Sequence, residues 1–395
     1  MNLCIPWVSC RKRFICSSKI FILLNPAKLV RSIGIEILNQ NKAIINSSVM
    51  LYLRIAYFCL VVFFLNMVPL QAQWKKVTEE IVFKSPPFNN CHASTLVETK
   101  TGDLLLSCFG GSQEGKTDVS IWLCTLNKGD DHIPTIVADG IVSDTLRYPA
   151  WNPVFFEESK GKLFLFYKVG PNPREWWGMY KTSEDNGNSW SDPMRLPKGI
   201  LGPIKNKPIQ LSSGVILSPS SIEEESGRWK GHIEKSIDGG MTWSRIQLDT
   251  NKKFDIIQPS ILQYPNGRLQ VLCRSKQGHV VQAWSNDQGN TWSKLSATKL
   301  LNPNSGTDAV TLKDGTQLIV YNPDIPGKDW FNGRSKLRVA SSIDGKNWKD
   351  IMVLENGTKE EFSYPAIIQT RDGLIHITYT YDRKNIKHVV LENSI

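Results

Sequence analysis

Ser183-Glu-Asp185-Asn-Gly187-Asn-Ser-Trp190 recurs along this chain as Ser236-Ile-Asp238-Gly-Gly240-Met-Thr-Trp243 and as Ser285-Asn-Asp287-Gln-Gly289-Asn-Thr-Trp292. A fourth copy, Ser342-Ile-Asp344-Gly-Lys-Asn-Trp348, is one residue shorter. One such turn in each period of roughly 50 residues marks a chain of stacked sheets, the blades of a β-propeller. The residue types have a local reason. Ser and Asp fold their side chains onto nearby backbone amides, Gly takes φ > 0, and the Trp ring drops between neighbouring sheets. These turns are expected to staple a rim of the fold and to carry no chemistry.

A second periodicity counts the blades. An alternating apolar run, a polar turn with Gly and a second alternating run occur six times. The first residues of these hairpins are His92, Trp151, Lys207, Gln258, Asp308 and Tyr364, and their turn glycines Gly102, Gly161, Gly214, Gly267, Gly315 and Gly373 lie 59, 53, 53, 48 and 58 residues apart. Six hairpins predict an all-β fold, a six-bladed β-propeller. Residues 74–88 are the spare segment expected to add an outer strand to the last blade and close the ring.

The chain divides by composition. Met50-Leu-Tyr-Leu-Arg54, the apolar run 55–70 and Gln71-Ala72 read as a signal peptide over residues 50–72, with a retained membrane anchor as the alternative. Residues 1–49 are expected to be a mis-assigned or unstructured extension, and 73–395 the propeller. Residues 1–72 hold eight Lys/Arg and one acidic residue, so of the net charge of +10 only 10 − 7 = +3 belongs to the propeller. No basic run interleaved with aromatics appears there, which argues against nucleic acid as a partner. The expectation is an exported, periplasmic or extracellular monomer without a membrane span once the leader is removed.

Cys91, Cys108, Cys124 and Cys273 are the propeller's cysteines, and the sequence leaves open whether the first three form a bridge or are buried as small apolar groups. No CxxC or His/Cys cluster suggests a metal, and no cofactor is implied. The six histidines are scattered singly.

In a propeller, inner-strand starts and second-strand ends crowd one mouth of the central funnel. At those positions stand His92, Arg147, Asn152, Lys205, Lys207, Gln258, Asn304, Asp308 and Tyr364, together with Glu114, Asp118, Lys168, Arg274, Tyr381 and Arg383. So many cations around one opening suggest a ligand bearing a carboxylate, and acidic sugars are the natural candidates.

The repeated turn is the Asp box, and with six blades residues 73–395 resemble the sialidase superfamily over nearly their full length. Phe109-Gly-Gly-Ser-Gln-Glu-Gly-Lys-Thr-Asp-Val-Ser-Ile-Trp122, Asn302-Pro-Asn-Ser-Gly-Thr-Asp308 and Glu361-Phe-Ser-Tyr-Pro-Ala-Ile-Ile368 are similar to its bacterial and plant branch termed predicted neuraminidase. The resemblance implies a glycosidase that holds a sugar carboxylate with three arginines, attacks with a Tyr assisted by a Glu and protonates the leaving group with an Asp. Carried over by register, Tyr364 is the nucleophile, Arg274 the second arginine, and Arg334 the third, with Arg338 as substitute. Arg147, Arg383, Lys207, Asn152, Asn304, Asp308 and Tyr381 are the further substrate-binding candidates, and the acid comes from the loop of Glu114 and Asp118.

Two positions depart from that pattern. His92 stands where the first arginine is expected, and Gln258 replaces the activating glutamate, where an amide cannot take a proton. His92 suits general acid–base work, which opens a uronate-directed lyase or glycosidase as an alternative. The Gln258 exchange opens a non-catalytic glycan-binding propeller.

Overall fold

A computed structural model describes residue 57 and residues 73–126, 131–248, 253–329 and 331–394. The chain divides into units 1–71 and 72–395. The extension over 1–49 and, apart from Tyr57, the leader over 50–72 lie outside the described residues. Among the described residues no helix is long and apolar enough to cross a membrane.

Strand β1 (Gln73–Ile81) precedes the first full blade of β2 (Asn90–Glu98), β3 (Leu104–Gly111), β4 (Ser120–Thr125) and β5 (Thr135–Ala138). A small ribbon of β6 (Ile141–Ser143) and β7 (Leu146–Arg147) leads to blade two, β8 (Ala150–Glu157), β9 (Leu163–Val169), β10 (Trp177–Ser183) and β11 (Met194–Arg195). Blade three holds β12 (Ile209–Gln210), β13 (Ile216–Glu223), β14 (Trp229–Ser236) and β15 (Ser244–Gln247); blade four holds β16 (Ile256–Gln263), β17 (Leu269–Ser275), β18 (His279–Ser285) and β19 (Ser296–Leu301). Blade five is β20 (Asp308–Thr311), β21 (Gln317–Tyr321), β22 (Lys336–Ser342) and β23 (Lys349–Asn356). Blade six is β24 (Phe362–Gln369), β25 (Ile375–Tyr381) and β26 (Asn385–Ser394), completed by β1.

Each blade is an antiparallel four-stranded sheet, and β1 pairs with β26 from Gln73↔Ser394 to Ile81↔Lys387. The expected ring closure is therefore present. Alternate strand residues point to opposite sheet faces, so each apolar face packs on the next blade. Six buried clusters result. Leu318, Val320 and Val339 of blade five meet Ile367, Ile377 and Val389 of blade six, and Leu105, Phe109 and Ile121 of blade one meet Phe155, Leu165 and Tyr167 of blade two.

The Asp boxes do what their residues dictate. Ser183 Oγ donates to Asp185 Oδ1 at 2.8 Å and accepts from the Gly187 amide at 2.8 Å, while Trp190 Nε1 donates to Gly187 O at 3.1 Å. The Trp190 ring stacks on Phe155 between blades one and two. In the shortened copy Asn347 Nδ2 donates to Asp344 Oδ2 at 2.8 Å, replacing the Ser or Thr hydroxyl of the other three.

Hydroxyl and backbone amide donors hold Asp185, Asp238 and Asp287 at about 2, below an ordinary 3.8. Because the folded value is depressed, their contribution to stability is present above pH ~4 and lost as pH falls towards 2. Replacing the three by Asn is expected to flatten that acid limb, measured as the urea midpoint against pH. An unchanged limb would show that these turns do not set the acid sensitivity.

Blade three differs from expectation. The inner strand foreseen from Lys207 is only Ile209–Gln210, starting after Pro208, which has no N–H to give a ladder. The segment before it is strapped by buried charges instead: Glu234 accepts the Leu201 and Gly202 amides at 2.8 and 2.7 Å, and Lys168 donates to Pro203 O. All four propeller cysteines are free and buried, so the apolar reading holds. The histidines are not all solitary: His376 Nδ1 lies 3.0 Å from His388 Nε2, and His388 Nδ1 lies 3.0 Å from Glu80.

Candidate functional site

One irregularity is repeated in four inner strands and builds the site. Pairing slips by one residue between His92 and Thr95, Trp151 and Val154, Ile257 and Ser260, and Ser363 and Ala366. In each bulge one residue takes the left-handed conformation: Ala93 (φ 53°), Asn152 (37°), Gln258 (55°) and Tyr364 (52°). The last three precede Pro, whose missing N–H suits a broken ladder. Left-handed non-glycine residues cost of order 1–3 kcal/mol each and persist where the fold over-determines them. Nine occur among the described residues; Asn186 and Gln288 serve Asp boxes, and the others, including Asn304, Asp382 and Arg383, belong to the site segments.

Tyr364 is the centre of a connected network. Its hydroxyl accepts from Arg274 Nη1 at 2.7 Å and from Gln258 Nε2 at 3.3 Å, and its ring packs on His92 with centroids 4.0 Å apart. Arg274 Nη1 also reaches Gln258 Oε1 at 3.4 Å, and its Nε donates to Asn304 Oδ1 at 2.9 Å. Arg334 Nη2 donates to Asn304 O at 3.1 Å, and its Nη1 pairs with Glu361 at 3.0 Å. Glu361 in turn takes Arg383 Nε at 2.8 Å and the Ser363 hydroxyl at 2.7 Å. Arg383 Nη1 closes the series on Glu114. Tyr364, His92, Gln258, Arg274, Arg334, Asn304, Arg383 and Glu114, remote in sequence, are thus brought together.

Charge in this network is unevenly compensated. Three guanidinium groups, those of Arg274, Arg334 and Arg383, face two carboxylates, Glu361 and Glu114. Arg274 is 7% exposed and bonds only neutral groups; among the described residues no carboxylate pairs with it. Burial works against the charge on Arg383, but Glu114 and Glu361 outweigh it and hold the group above its ordinary value. Burial also opposes the Glu361 carboxylate, and Arg383, Arg334 and Ser363 overcome it, so Glu361 stays ionised.

His92 is kept neutral. Burial pushes it well below 6.5, and Arg383, Arg334, Lys205 and Arg274 push it further, so four cations act on one imidazole. Its Nδ1 contacts Thr380 Oγ1 at 2.8 Å, while Nε2 is buried without a hydrogen-bond partner. Beneath Tyr364, Lys205 Nζ donates to Asn206 Oδ1 and Thr307 O at 3.0 Å each and to Pro365 O at 2.5 Å. Burial draws this ammonium down to about 7, with Asp308 partly restoring it.

Other candidates are placed differently. Asp118 accepts the Ser112 amide at 2.7 Å and the Ser112 hydroxyl at 2.9 Å, closing the base of the loop that carries Glu114. Asn152 occupies the blade-two bulge beside Trp151. Arg147 donates to Ser120 Oγ at 2.8 Å on blade one. Lys207 pairs with Asp308, which also accepts the Ser260 hydroxyl and the Ala309 and Ile367 amides at 3.1, 2.9 and 3.0 Å. Asp308 thereby fastens blades rather than presenting a free carboxylate. Tyr381 packs on Phe362 with ring centroids 5.2 Å apart, while its neighbour Thr380 contacts His92 from the other face of the strand. Arg338 pairs with Asp350 at 2.7 Å, which leaves Arg334 as the cluster's arginine. The residues that sequence reasoning missed are Glu361, Thr380 and Trp229. Trp229 lies 5.2 Å from the Arg274 guanidinium; Glu361 stood in a quoted motif, but no spacing showed it between two arginines.

A ring of six four-stranded sheets defines this as a six-bladed β-propeller, with a cationic cluster at its inner-strand bulges. The sequence profile of the BNR repeat-like domain matches residues 102–377, and the chain belongs to that family. No curated protein gives a significant sequence match. Among solved structures, a Dyadobacter fermentans protein of unknown function is similar at 16% identity and TM-score 0.67, with 81% of this chain and 99% of that one covered. The Hadza microbial sialidase Hz136 (16%, TM-score 0.64) and Trypanosoma rangeli sialidase (17%, TM-score 0.62) are matched over 76% and 77% of this chain. The match spans 65% and 55% of those two sialidases' own lengths, and at such identity it shows the shared fold.

Proposed function

We propose that this protein is an exported carbohydrate-active enzyme that binds a carboxylate-bearing sugar at the Tyr364 end of its funnel and cleaves the adjoining glycosidic bond, in the manner of a sialidase-like glycosidase. The observation that carries the reading is Arg274, a buried guanidinium held only by neutral groups. A buried charge is costly unless paired, and a carboxylate is the partner whose geometry fits a guanidinium. Arg274 and Gln258 both donate to the Tyr364 oxygen, which stabilises negative charge developing there. Tyr364 is the nucleophile or charge stabiliser, and the loop of Glu114 supplies the acid.

Two observations favour other readings of the same pocket. Gln258 accepts no proton, which favours glycan binding without turnover; neutral His92 with an unpartnered Nε2 favours proton abstraction from a uronate. Purified chain incubated with sialyl and uronyl oligosaccharides separates them. Release of a free saturated acidic sugar is the expected result, an ultraviolet-absorbing unsaturated uronate marks the lyase, and binding without product marks the lectin. Equal binding of neutral and acidic oligosaccharides would end the carboxylate reading.

A further inference from the structure

We propose that Glu114 is a built-in stand-in for the ligand's carboxylate: it occupies Arg383 in the free protein and is displaced when an acidic sugar enters, so that it decides which sugars gain access. This rests on the acidic-sugar reading above and identifies a specificity-determining residue within it.

The loop that carries Glu114 is short and locally closed. Asp118 clamps Ser112, the Lys116 amide donates to Gln113 O at 3.1 Å, and the Val119 amide to Lys116 O at 3.1 Å. Gly115 sits over Trp151, where a Cβ would stand 3.4 Å from the ring. From this frame Glu114 reaches across to blade six and Arg383. Its side chain is 37% exposed, whereas Arg383 is 16% exposed and is gripped from the other side by Glu361. The inner carboxylate is fixed by two arginines and a serine; the outer one is held by a single arginine.

That asymmetry decides which carboxylate yields. Glu114 is therefore the half-exposed and less firmly held of the two carboxylates, the one that can be exchanged for a ligand carboxylate that Arg274 also attracts. A neutral sugar gives nothing in return for breaking the pair. It is therefore kept out, while an anionic one meets no net loss of charge pairing.

The test is isothermal calorimetry of the full chain with N-acetylneuraminic acid and with glucuronic acid, and with galactose as neutral control. Glu114→Gln removes the internal competitor on an exposed loop and is expected to tighten binding of the acidic sugar roughly two- to tenfold. A structural role for Glu114 would weaken binding instead. In an Arg383→Met background the gain from Glu114→Gln should vanish, with melting curves to check folding. Unchanged or weaker acid-sugar binding by Glu114→Gln, or a gain that survives Arg383→Met, overturns the proposal while leaving the acidic-sugar reading in place. Failure of the wild type and both variants to bind either acid overturns the two together.

Discussion

Arg274→Met is expected to weaken binding of an acidic sugar at least about 30-fold and as much as about 5,000-fold, while leaving the fold as stable or more stable. The loss follows from removing a buried guanidinium that is held only by neutral groups; truncating one side of a buried, hydrogen-bonded charge pair costs about 2–5 kcal/mol. The gain follows from the same fact. In the free protein Arg274 is desolvated for neutral partners only, so an apolar side chain of similar length relieves an uncompensated buried charge, which offsets the donors lost by Asn304, Gln258 and Tyr364. Calorimetry with the acidic sugar and a urea melt on the same sample check both signs. Undiminished binding, or a variant that loses binding only because it unfolds, would mean that Arg274 serves the fold. Arg338→Met, which breaks a half-exposed pair with Asp350 on blade five, should leave binding unchanged.

Asp308→Ala should have the largest effect on stability, a loss of about 3–5 kcal/mol. Its carboxylate is 2% exposed and gathers the Lys207 ammonium, the Ser260 hydroxyl of blade four, its own blade's Ala309 amide and the Ile367 amide of blade six. Removing it strands those donors near the axis, where an unpaired buried polar group is most expensive. The urea midpoint should fall sharply, and Lys207→Met in the same chain should recover part of the loss. A drop below about 1 kcal/mol would show that the inter-blade apolar clusters hold the ring without this knot.

The binding and stability roles fall on residues that looked alike in sequence. Lys207, Arg274, Arg383 and Asp308 are all charged residues near inner-strand starts or second-strand ends, and the one-dimensional pattern treats them equally. Folding sorts them by partner. Lys207 and Asp308 satisfy each other, Arg383 and Arg334 share Glu361, and Arg274 is left with an amide, an amide and a phenol. Tyr381 shows a related limit: a second-strand end is visible in the sequence, but which face its last residue takes depends on the register with β24 and on the contact made by Thr380.

The chain's own periodicity determined the number of blades, the Asp-box turns, the closing strand and the neighbourhood of Tyr364, because each is a local pattern of turn residues and alternating side chains that repeats every blade. The positions of the bulges, the wedge of Glu361 between Arg334 and Arg383, and the isolation of Arg274 were settled only by the closed ring. Pairing of charges between neighbouring blades joins residues remote in sequence, such as Arg383 and Glu114, 269 positions apart, and no local energy term in the sequence records it.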